Sequence, residues 1–282
     1  MKPDRGDAAR SATLADRAAA VAALGPWFHN IVLPDGLQTA PDHFLGSDFP
    51  AFKWRQVAVA LPTRLDGWEV LDVGCNAGYY SFELARLGAR VHGVDVDPRY
   101  LAQARWAARE LRLDARVSFE QCEVFDLARS SERYDLVLFM GVFYHLRYPL
   151  LALDILARLT RRQMVFQTLT MPGMGVHGAD PIALGLNERD TLLDEGWPKM
   201  AFFETGFAGD PTNWWAPNHA GVEAMLRSSG LRVMARPGHE IYLCEPDPAQ
   251  AWRRERFASQ WASVVGTRDA GSARPEGAEP DR

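Results

Sequence analysis

The stretch that decides the fold is Val70-Leu71-Asp72-Val73-Gly74-Cys75-Asn76-Ala77-Gly78-Tyr79-Tyr80. It predicts an apolar strand that ends in a turn with two glycines, followed by a helix over residues 79–87. A second apolar stretch, residues 91–95, ends in Asp95, which lies 21 positions after Gly74. This order of strand, turn, helix and strand predicts a βαβ unit with a ligand site at the carboxyl ends of its strands.

The residues of the turn indicate which ligand it binds. Gly74 and Gly78 remove side chains where the backbone must approach a ligand, and glycine tolerates positive φ. The helix after the turn is expected to point its free N–H groups at the site. The pattern is G-x-N-x-G, with Asn76 in its centre, and not the G-x-G-x-x-G of dinucleotide sites.

Two carboxylates complete this predicted cofactor site. Asp72 precedes the turn, where it would repel a pyrophosphate and attract an ammonium group. Asp95 can accept hydrogen bonds from both hydroxyls of a ribose. A cofactor with a ribose and a zwitterionic amino-acid end fits this arrangement, which favours S-adenosylmethionine (SAM) over NAD and predicts methyl transfer.

Composition excludes several classes of protein. The 282 residues carry a formal net charge of −5, so no overall basic field indicates nucleic-acid binding. The three cysteines, Cys75, Cys122 and Cys244, show no CxxC spacing, which favours reduced thiols in a cytoplasmic protein over a disulfide framework. We find no secretory leader and no apolar run long enough to span a membrane, and we predict no metal site. The sequence is compatible with a homo-oligomer.

Alternating strands and helices from residue 67 onward predict the fold class. Strands are expected over residues 69–73, 90–95, 117–122, 134–140 and 164–169, and a closing hairpin over 231–235 and 241–244. We therefore predict an α/β protein with a Rossmann-like, doubly wound, mostly parallel seven-stranded sheet and an N-terminal helical cap.

The predicted organisation has four parts. Residues 1–14 form a disordered tail, and residues 15–66 form the cap, with helices over 14–24 and 54–61. Residues 67–246 form the SAM-binding core, in which the glycine-rich segment 171–212 is a substrate lid. Residues 247–282 add a helix over about 247–263 and a disordered tail.

Four further segments carry a resemblance to a known family: Phe52-Lys53-Trp54, residues 139–147 (FMGVFYHLR), Gln167-Thr168-Leu169, and residues 213–217 (NWWAP). The core resembles the class I SAM-dependent methyltransferases. With these segments, residues 27–245 resemble the bacterial transferases that modify 5-hydroxyuridine at the tRNA wobble position, some of which use a carboxylated form of SAM. The resemblance implies that the cofactor pocket is lined by Lys53, Gly74, Asp95, Met140 and Tyr144. It also implies that Arg147 lies beside the acceptor.

The chain departs from that family at three places. The family's Tyr-His-Arg-Arg run has Leu146 in its third position, so one cation is missing. The segment Leu33-Pro34-Asp35 stands where the family places a lysine, and Glu240 and Tyr242 lie where its last strand contributes an arginine. An unpaired cofactor carboxylate would be costly to bury. These departures favour ordinary SAM.

Alternatives stay open for several residues. His145 can be the base that deprotonates the acceptor or a packing residue, whereas Tyr144 can hydrogen-bond cofactor or acceptor. Lys53 can face the site or solvent, and Asp97 can cap a helix or contact the ribose. Val96 follows Asp95 in the predicted cofactor set. Glu123 would lie near the adenine or on the surface, and Trp214 and Trp215 can stack on a base or pack the lid.

Two acceptors are compatible with the sequence. The first is the 5-hydroxyl of a wobble uridine in tRNA, which predicts a basic surface joining Lys53, Arg147 and the cap. The second is a hydroxyl of a small metabolite or sugar. It predicts an enclosed pocket shielded by Trp197 and Phe203.

Overall fold

A seven-stranded sheet organises the chain in the computed structural model, which describes residues 13–175, 177, 184–250, 260, 263–264 and 266. The strands, in chain order, are β1 (Glu69–Val73), β2 (Arg90–Asp95), β3 (Val117–Gln121), β4 (Tyr134–Met140), β5 (Thr160–Gln167), β6 (Met200–Phe202), β7 (Trp215–Pro217), β8 (Leu231–Gly238) and β9 (Ile241–Pro246). The main sheet has the order β3-β2-β1-β4-β5-β9-β8, and β6 pairs with β7 in a separate two-stranded ribbon.

Strand pairing confirms the predicted sheet. Strands β1 to β5 pair in parallel, and β9 runs antiparallel to both β5 and β8. The chain proceeds outward from β1 to β3 and then returns to place β4 beside β1. The carboxyl ends of β1 and β4 therefore meet at the point where the strand order reverses, which is where such sheets bind ligands.

Six α-helices have both ends within the described residues. They are α1 (Leu14–Leu24), α2 (Ala51–Ala58), α3 (Tyr79–Arg86), α4 (Pro98–Glu110), α5 (Pro149–Leu159) and α6 (His219–Ser228). Thr13, Asp97 and Asn218 cap α1, α4 and α6 with their side chains. Oδ1 of Asp97 accepts from the Arg99 amide at 2.8 Å, so the helix-capping alternative for this residue is confirmed.

Strand β4 is buried along its whole length, as expected for a central strand covered on both faces. Leu136 and Leu138 pack into the hydrophobic cluster on one face, whereas Val137 and Phe139 pack into the cluster on the other face. Because side chains on both faces of the sheet pack against this strand, the core fixes the position of the segment that follows Met140.

The N-terminal segment packs against α4. Arg17 forms ion pairs with Glu110 at 2.6 Å and with Asp35 at 2.8 Å. The buried amide of Gln103 donates to the carbonyl oxygens of Leu24 and Pro26. The cap is therefore attached to the core by side chains that lie on α4.

Some predicted boundaries differ from the observed ones. Helix α2 starts directly after Pro50 and ends at Ala58, whereas the prediction was 54–61. Strand β5 starts at Thr160, and not at residue 164. The predicted terminal tails and the helix over 247–263 fall largely outside the described residues. Within the described ranges, no helix combines the length and the apolar character that membrane crossing requires.

Candidate functional site

The turn after β1 has the conformation that its residues predict. Gly74 and Gly78 have φ of 68° and 86°, and Asn76 adopts a left-handed φ of 51°. A Cβ on Gly74 would lie 2.3 Å from a methyl carbon of Val142. Glycine is therefore required at position 74 both by backbone conformation and by close packing against the residue that follows β4.

The first amide of α3 is not free, contrary to the sequence prediction. The amide of Tyr79 donates to Nδ1 of His29 in the cap at 3.4 Å. Burial lowers the pKa of His29 to about 3, so the imidazole is neutral and able to accept this hydrogen bond. The cap thus satisfies one of the N–H groups that was expected to face the ligand.

Asp95 at the end of β2 is held by two backbone amides. Its Oδ2 accepts from the Asn76 amide at 2.8 Å, and its Oδ1 accepts from the Asp97 amide at 2.9 Å. Burial nevertheless raises the pKa of Asp95. Each oxygen retains a lone pair, so the carboxylate can still accept from the hydroxyls of a ribose.

Asp72 is buried behind the turn. Only 3% of its surface is exposed, and its Oδ2 accepts from the Ser81 hydroxyl on α3 at 2.6 Å. Burial raises the pKa of Asp72 to about 6. Its role as the partner of a cofactor ammonium group stays a prediction.

A cleft of about 490 Å³ opens at the carboxyl ends of β1, β2 and β4. The predicted cofactor residues that line it are Gly74, Asn76, Asp95, Val96 and Glu123, and they are joined there by the predicted catalytic residue His145. The other predicted site residues, Lys53, Asp72, Gly78, Met140, Tyr144 and Arg147, are not among its lining residues.

Sequence reasoning missed several residues of the cleft. Phe28 from the cap and Tyr100 from α4 contribute aromatic walls, and Asp210 and Thr212 come from the predicted lid. No spacing rule links these residues to the glycine turn. A polar Asp-Pro-Thr-Asn turn at residues 210–213 was the one local signal for the last two.

Lys53 on α2 is half-buried, close to the Phe49 ring and to the charge of Glu240. Burial lowers the pKa of this lysine, and the charge of Glu240 opposes that effect. Its ammonium lies 5.8 Å from the centre of the Phe49 ring. Glu240 in turn accepts from the Thr170 amide at 2.9 Å and from the Gln167 side chain at 3.3 Å. Lys53 therefore faces the interior near the end of β5, and not bulk solvent.

Tyr144 and His145 lie in a short 3-10 turn after β4. Burial raises the pKa of Tyr144 to about 12, so its hydroxyl keeps its proton at neutral pH. Burial lowers the pKa of His145, while the nearby Asp210 charge opposes the change. Nδ1 of His145 lies 2.9 Å from the Thr212 hydroxyl oxygen. A neutral imidazole beside a protonated phenol can perform general base and hydrogen-bond donor roles, respectively.

Arg147 is exposed and lies over aromatic rings. Its guanidinium carbon lies 4.9 Å from the ring centre of Phe202 and 5.2 Å from that of Trp214. The Phe202 and Trp214 rings are nearly parallel, with an interplanar angle of 13°. We call these three residues the Arg147 platform. Trp215, by contrast, is fixed in packing, because its indole N–H donates to the Leu146 carbonyl at 3.0 Å.

The cleft fits SAM by the chemistry of its residues. Asp95 offers two acceptors for a ribose, and Val94, Val96 and Val124 provide apolar walls for an adenine, together with the rings of Phe28 and Tyr100. Glu123 is exposed at the rim of this apolar region. Among the described residues, no group of three or more His, Cys, Asp or Glu side chains has the geometry of a metal site.

Known proteins with similar sequences are methyltransferases. Residues 65–174 match the family model described as a methyltransferase domain. The chain is 36% identical over 216 residues to a tRNA U34 carboxymethyltransferase of Pseudomonas fluorescens, an alignment that covers 74% of this chain and 59% of that protein. It is also 38% identical over 92 residues to a ubiquinone biosynthesis O-methyltransferase of Cereibacter sphaeroides, covering 33% and 36% of the two chains.

Solved structures support the fold. The N-terminal domain of EvdMO1, crystallised in the presence of SAH and D-fucose, superposes with a TM-score of 0.56 at 20% identity and covers 83% of this chain and 96% of that chain. The chain spans about half the length of the tRNA-modifying relatives it matches. Residues 65–174 are therefore a SAM-dependent methyltransferase domain, and the chain is similar to the tRNA U34 carboxymethyltransferases.

Proposed function

We propose that this protein methylates the 5-hydroxyl of 5-hydroxyuridine at the wobble position of tRNA. The observation that carries the proposal is the exposed Arg147 platform, which adjoins the turn that holds Tyr144 and His145. A planar guanidinium on stacked aromatic rings is a surface on which an unstacked base of single-stranded RNA can stack. A tRNA substrate also implies a cytoplasmic location.

The extent of the sequence likeness supports the same acceptor. The alignment to the tRNA-modifying relative of Pseudomonas fluorescens spans 216 residues, about twice the stretch of the methyltransferase match at 65–174. It therefore includes segments outside the cofactor-binding core. Acceptor specificity in this fold is expected from such flanking segments, because the core serves the cofactor.

The chain's own residues supply four functions for the reaction. The ribose-binding carboxylate of Asp95 and the apolar walls of the cleft would hold SAM, which when bound supplies an electrophilic methyl group. His145 takes the proton of the acceptor hydroxyl, since its imidazole is neutral at physiological pH. Tyr144 donates a hydrogen bond near the reacting oxygen. The Arg147 platform holds the acceptor nucleobase so that its hydroxyl oxygen is in line with the methyl group. This orientation lowers the barrier to transfer.

Charges near the end of β5 favour methyl over carboxymethyl transfer. The relatives are named carboxymethyltransferases, and the group they transfer carries a carboxylate. Here Glu240 contributes a negative charge that acts to raise the pKa of Lys53. Leu33 is buried, and Asp35 is paired with Arg17. A second carboxylate in this region would face repulsion from Glu240.

A small hydroxylated metabolite or sugar is the second candidate acceptor. The net charge of −5 and the likeness to a ubiquinone biosynthesis O-methyltransferase favour it. Trp197 and Phe203, which an enclosed small-molecule pocket was expected to use as shields, are not among the residues that line the cleft. This placement favours the larger acceptor.

The decisive experiment incubates the purified full chain with SAM and tRNA that carries 5-hydroxyuridine at the wobble position. Nucleoside mass spectrometry should show the mass gain of one methyl group at that base and no carboxymethyl product. Free 5-hydroxyuridine and a set of small phenols and sugars serve as competing acceptors. Transfer to one of these and not to tRNA would replace the proposal with the second candidate.

Variants of the platform test the observation itself. Arg147→Ala and Trp214→Ala should each raise the KM for tRNA by roughly 5- to 150-fold, the range of about 1–3 kcal/mol per stacked base, with SAM affinity unchanged. Arg64→Ala is the matched control, since this arginine is 81% exposed and precedes the amino end of β1. Equal KM values for the platform variants and the control would contradict base stacking at this surface.

A further inference from the structure

A chain of three side chains joins the lid to the turn after β4. Asp210 Oδ1 lies 2.6 Å from the Thr212 hydroxyl oxygen and 2.7 Å from the Thr212 amide nitrogen. Nδ1 of His145 lies 2.9 Å from the same hydroxyl and 3.3 Å from the Thr212 carbonyl oxygen. All three residues line the cofactor cleft. The contacts therefore occur inside the site and not on a remote surface.

The direction of each hydrogen bond follows from the inventory of donors. The two contacts with Thr212 hold Asp210 ionised, because they lower the pKa of its carboxyl, so the carboxylate can only accept. The single proton of the Thr212 hydroxyl is thus donated to Asp210. The hydroxyl oxygen must accept from His145, and the Thr212 carbonyl can also only accept. Both contacts therefore require a proton on Nδ1 of His145.

We infer that Thr212 and Asp210 are positioning residues that hold His145 as its Nδ1–H tautomer, which leaves the Nε2 lone pair as the base for the acceptor hydroxyl. Within the part of the chain that the structure describes, Nε2 of His145 makes no hydrogen bond. The inference deepens the proposed function and rests on it for the identity of the acceptor. The tautomer itself is a property of the protein alone.

The proton and electron balance of the step is complete. The acceptor hydroxyl gives its proton to Nε2 of His145, and the acceptor oxygen bonds to the methyl carbon as the carbon–sulfur bond breaks with its electron pair on sulfur. The imidazolium that forms is stabilised by Asp210 through Thr212. Other titratable groups near this imidazole are Tyr144, whose ring centre lies 4.2 Å away, and the residues Asp95, Tyr100, Cys122 and Glu123 that line the same cleft.

The first test observes the tautomer without any acceptor. Nitrogen-15 NMR of histidine-labelled full-length protein at about pH 7.5 should show the Nδ1–H form for the signal that disappears in His145→Gln. Thr212→Val removes the hydroxyl at nearly constant volume and should shift that signal toward the Nε2–H form. Thr212→Ser keeps the hydroxyl and should retain the wild-type spectrum. An Nε2–H signal in the wild-type protein would overturn the inference.

The second test measures turnover on the identified acceptor. Thr212→Val should lower kcat by at least about 10-fold, a part of the ~10²–10⁴ that a general base supplies, and Thr212→Ser should recover most of it. Asp210→Asn should shift the acidic limb of kcat/KM to lower pH, because the Asp210 charge raises the basicity of His145. Unchanged SAM affinity and melting temperature verify that the variants fold.

The two tests separate the two ideas. An Nδ1–H tautomer combined with full turnover of His145→Gln would remove the base from the mechanism and overturn the inference at that step. Failure of tRNA as an acceptor would leave the NMR result standing and redirect only the search for the substrate. Loss of turnover in Thr212→Val with rescue by Thr212→Ser supports the inference on whichever hydroxyl is methylated.

Discussion

Replacing Asp72 by asparagine should stabilise the protein at neutral pH. Asp72 is 3% exposed, and burial raises its pKa from 3.8 to about 6. Because the folded state holds this proton more tightly than the unfolded chain, wild-type stability falls as the pH rises from about 4 to about 6. Each unit of pKa change is worth about 1.4 kcal/mol. The rise in the pKa of Asp72 therefore lowers the free energy of unfolding by about 3 kcal/mol at neutral pH.

The asparagine side chain has no such dependence and can still accept from the Ser81 hydroxyl. Urea unfolding without cofactor should therefore show Asp72→Asn near wild-type stability at about pH 4 and more stable by about 2–3 kcal/mol at about pH 7. The difference in free energy of unfolding between variant and wild type is taken at each pH, so the contributions of the other titrating groups cancel. Asp114→Asn, at an exposed carboxylate, provides the control and should give a constant difference.

Cofactor binding provides the second half of the same prediction. An ammonium group beside Asp72 would favour the charged carboxylate, so SAM affinity of the wild-type protein should increase as the pH rises through about 6. Asp72→Asn should bind SAM more weakly, with no such increase. A stability difference that does not change with pH would refute the argument from burial. A pH-independent SAM affinity would remove Asp72 from the cofactor site.

Three further predictions concern the cleft and the turn after β4. Asp95→Ala should weaken SAM binding by about 1–3 kcal/mol in calorimetry, since ribose hydroxyls lose their acceptor, whereas Asp114→Ala should not. Tyr144→Phe should lower kcat and leave the Kd of SAM within about twofold, and equal turnover would remove its hydroxyl from the mechanism. Gly74→Ala should abolish SAM binding, because its φ is 68° and its new Cβ would lie 2.3 Å from a Val142 carbon. Adding Val142→Ala should restore part of the binding, and no recovery at all would contradict the steric explanation.

The sequence was sufficient to predict the sheet because its central strands are rich in apolar residues. Residues 134–140 are predicted as a buried strand and are β4, and the helix predicted over 14–24 is α1. The prediction placed the start of β5 at residue 164, and not at Thr160, because the first residues of the strand are polar. Arg161 and Arg162 both pair with Asp135, at 3.0 and 3.1 Å, so tertiary ion pairs outweigh the weak strand signal there.

The site was predicted where it depends on local spacing and missed where it depends on distant segments. Asp95 and the glycine turn belong to one βαβ unit, so their separation along the chain fixes their proximity. Thr212 contacts His145 across 67 positions of sequence, and His29 reaches α3 across 50. No periodicity encodes such contacts, because they arise from how the lid and the cap fold back onto the sheet edge.

The attachment of the segment that follows the lid has a consequence for protein engineering. The Trp214 amide donates to the Tyr144 carbonyl at 2.9 Å, and the Trp215 indole donates to the Leu146 carbonyl. These two residues, which follow the lid, therefore fix the shape of the turn after β4. Exchanging segment 200–217 for that of a relative, in order to change acceptor preference, would also replace these two anchors. A chimaera that retains Trp215 and a backbone amide in the position of residue 214 keeps both anchors. A new acceptor specificity can then be introduced in the rest of the segment while Tyr144 and His145 keep their positions.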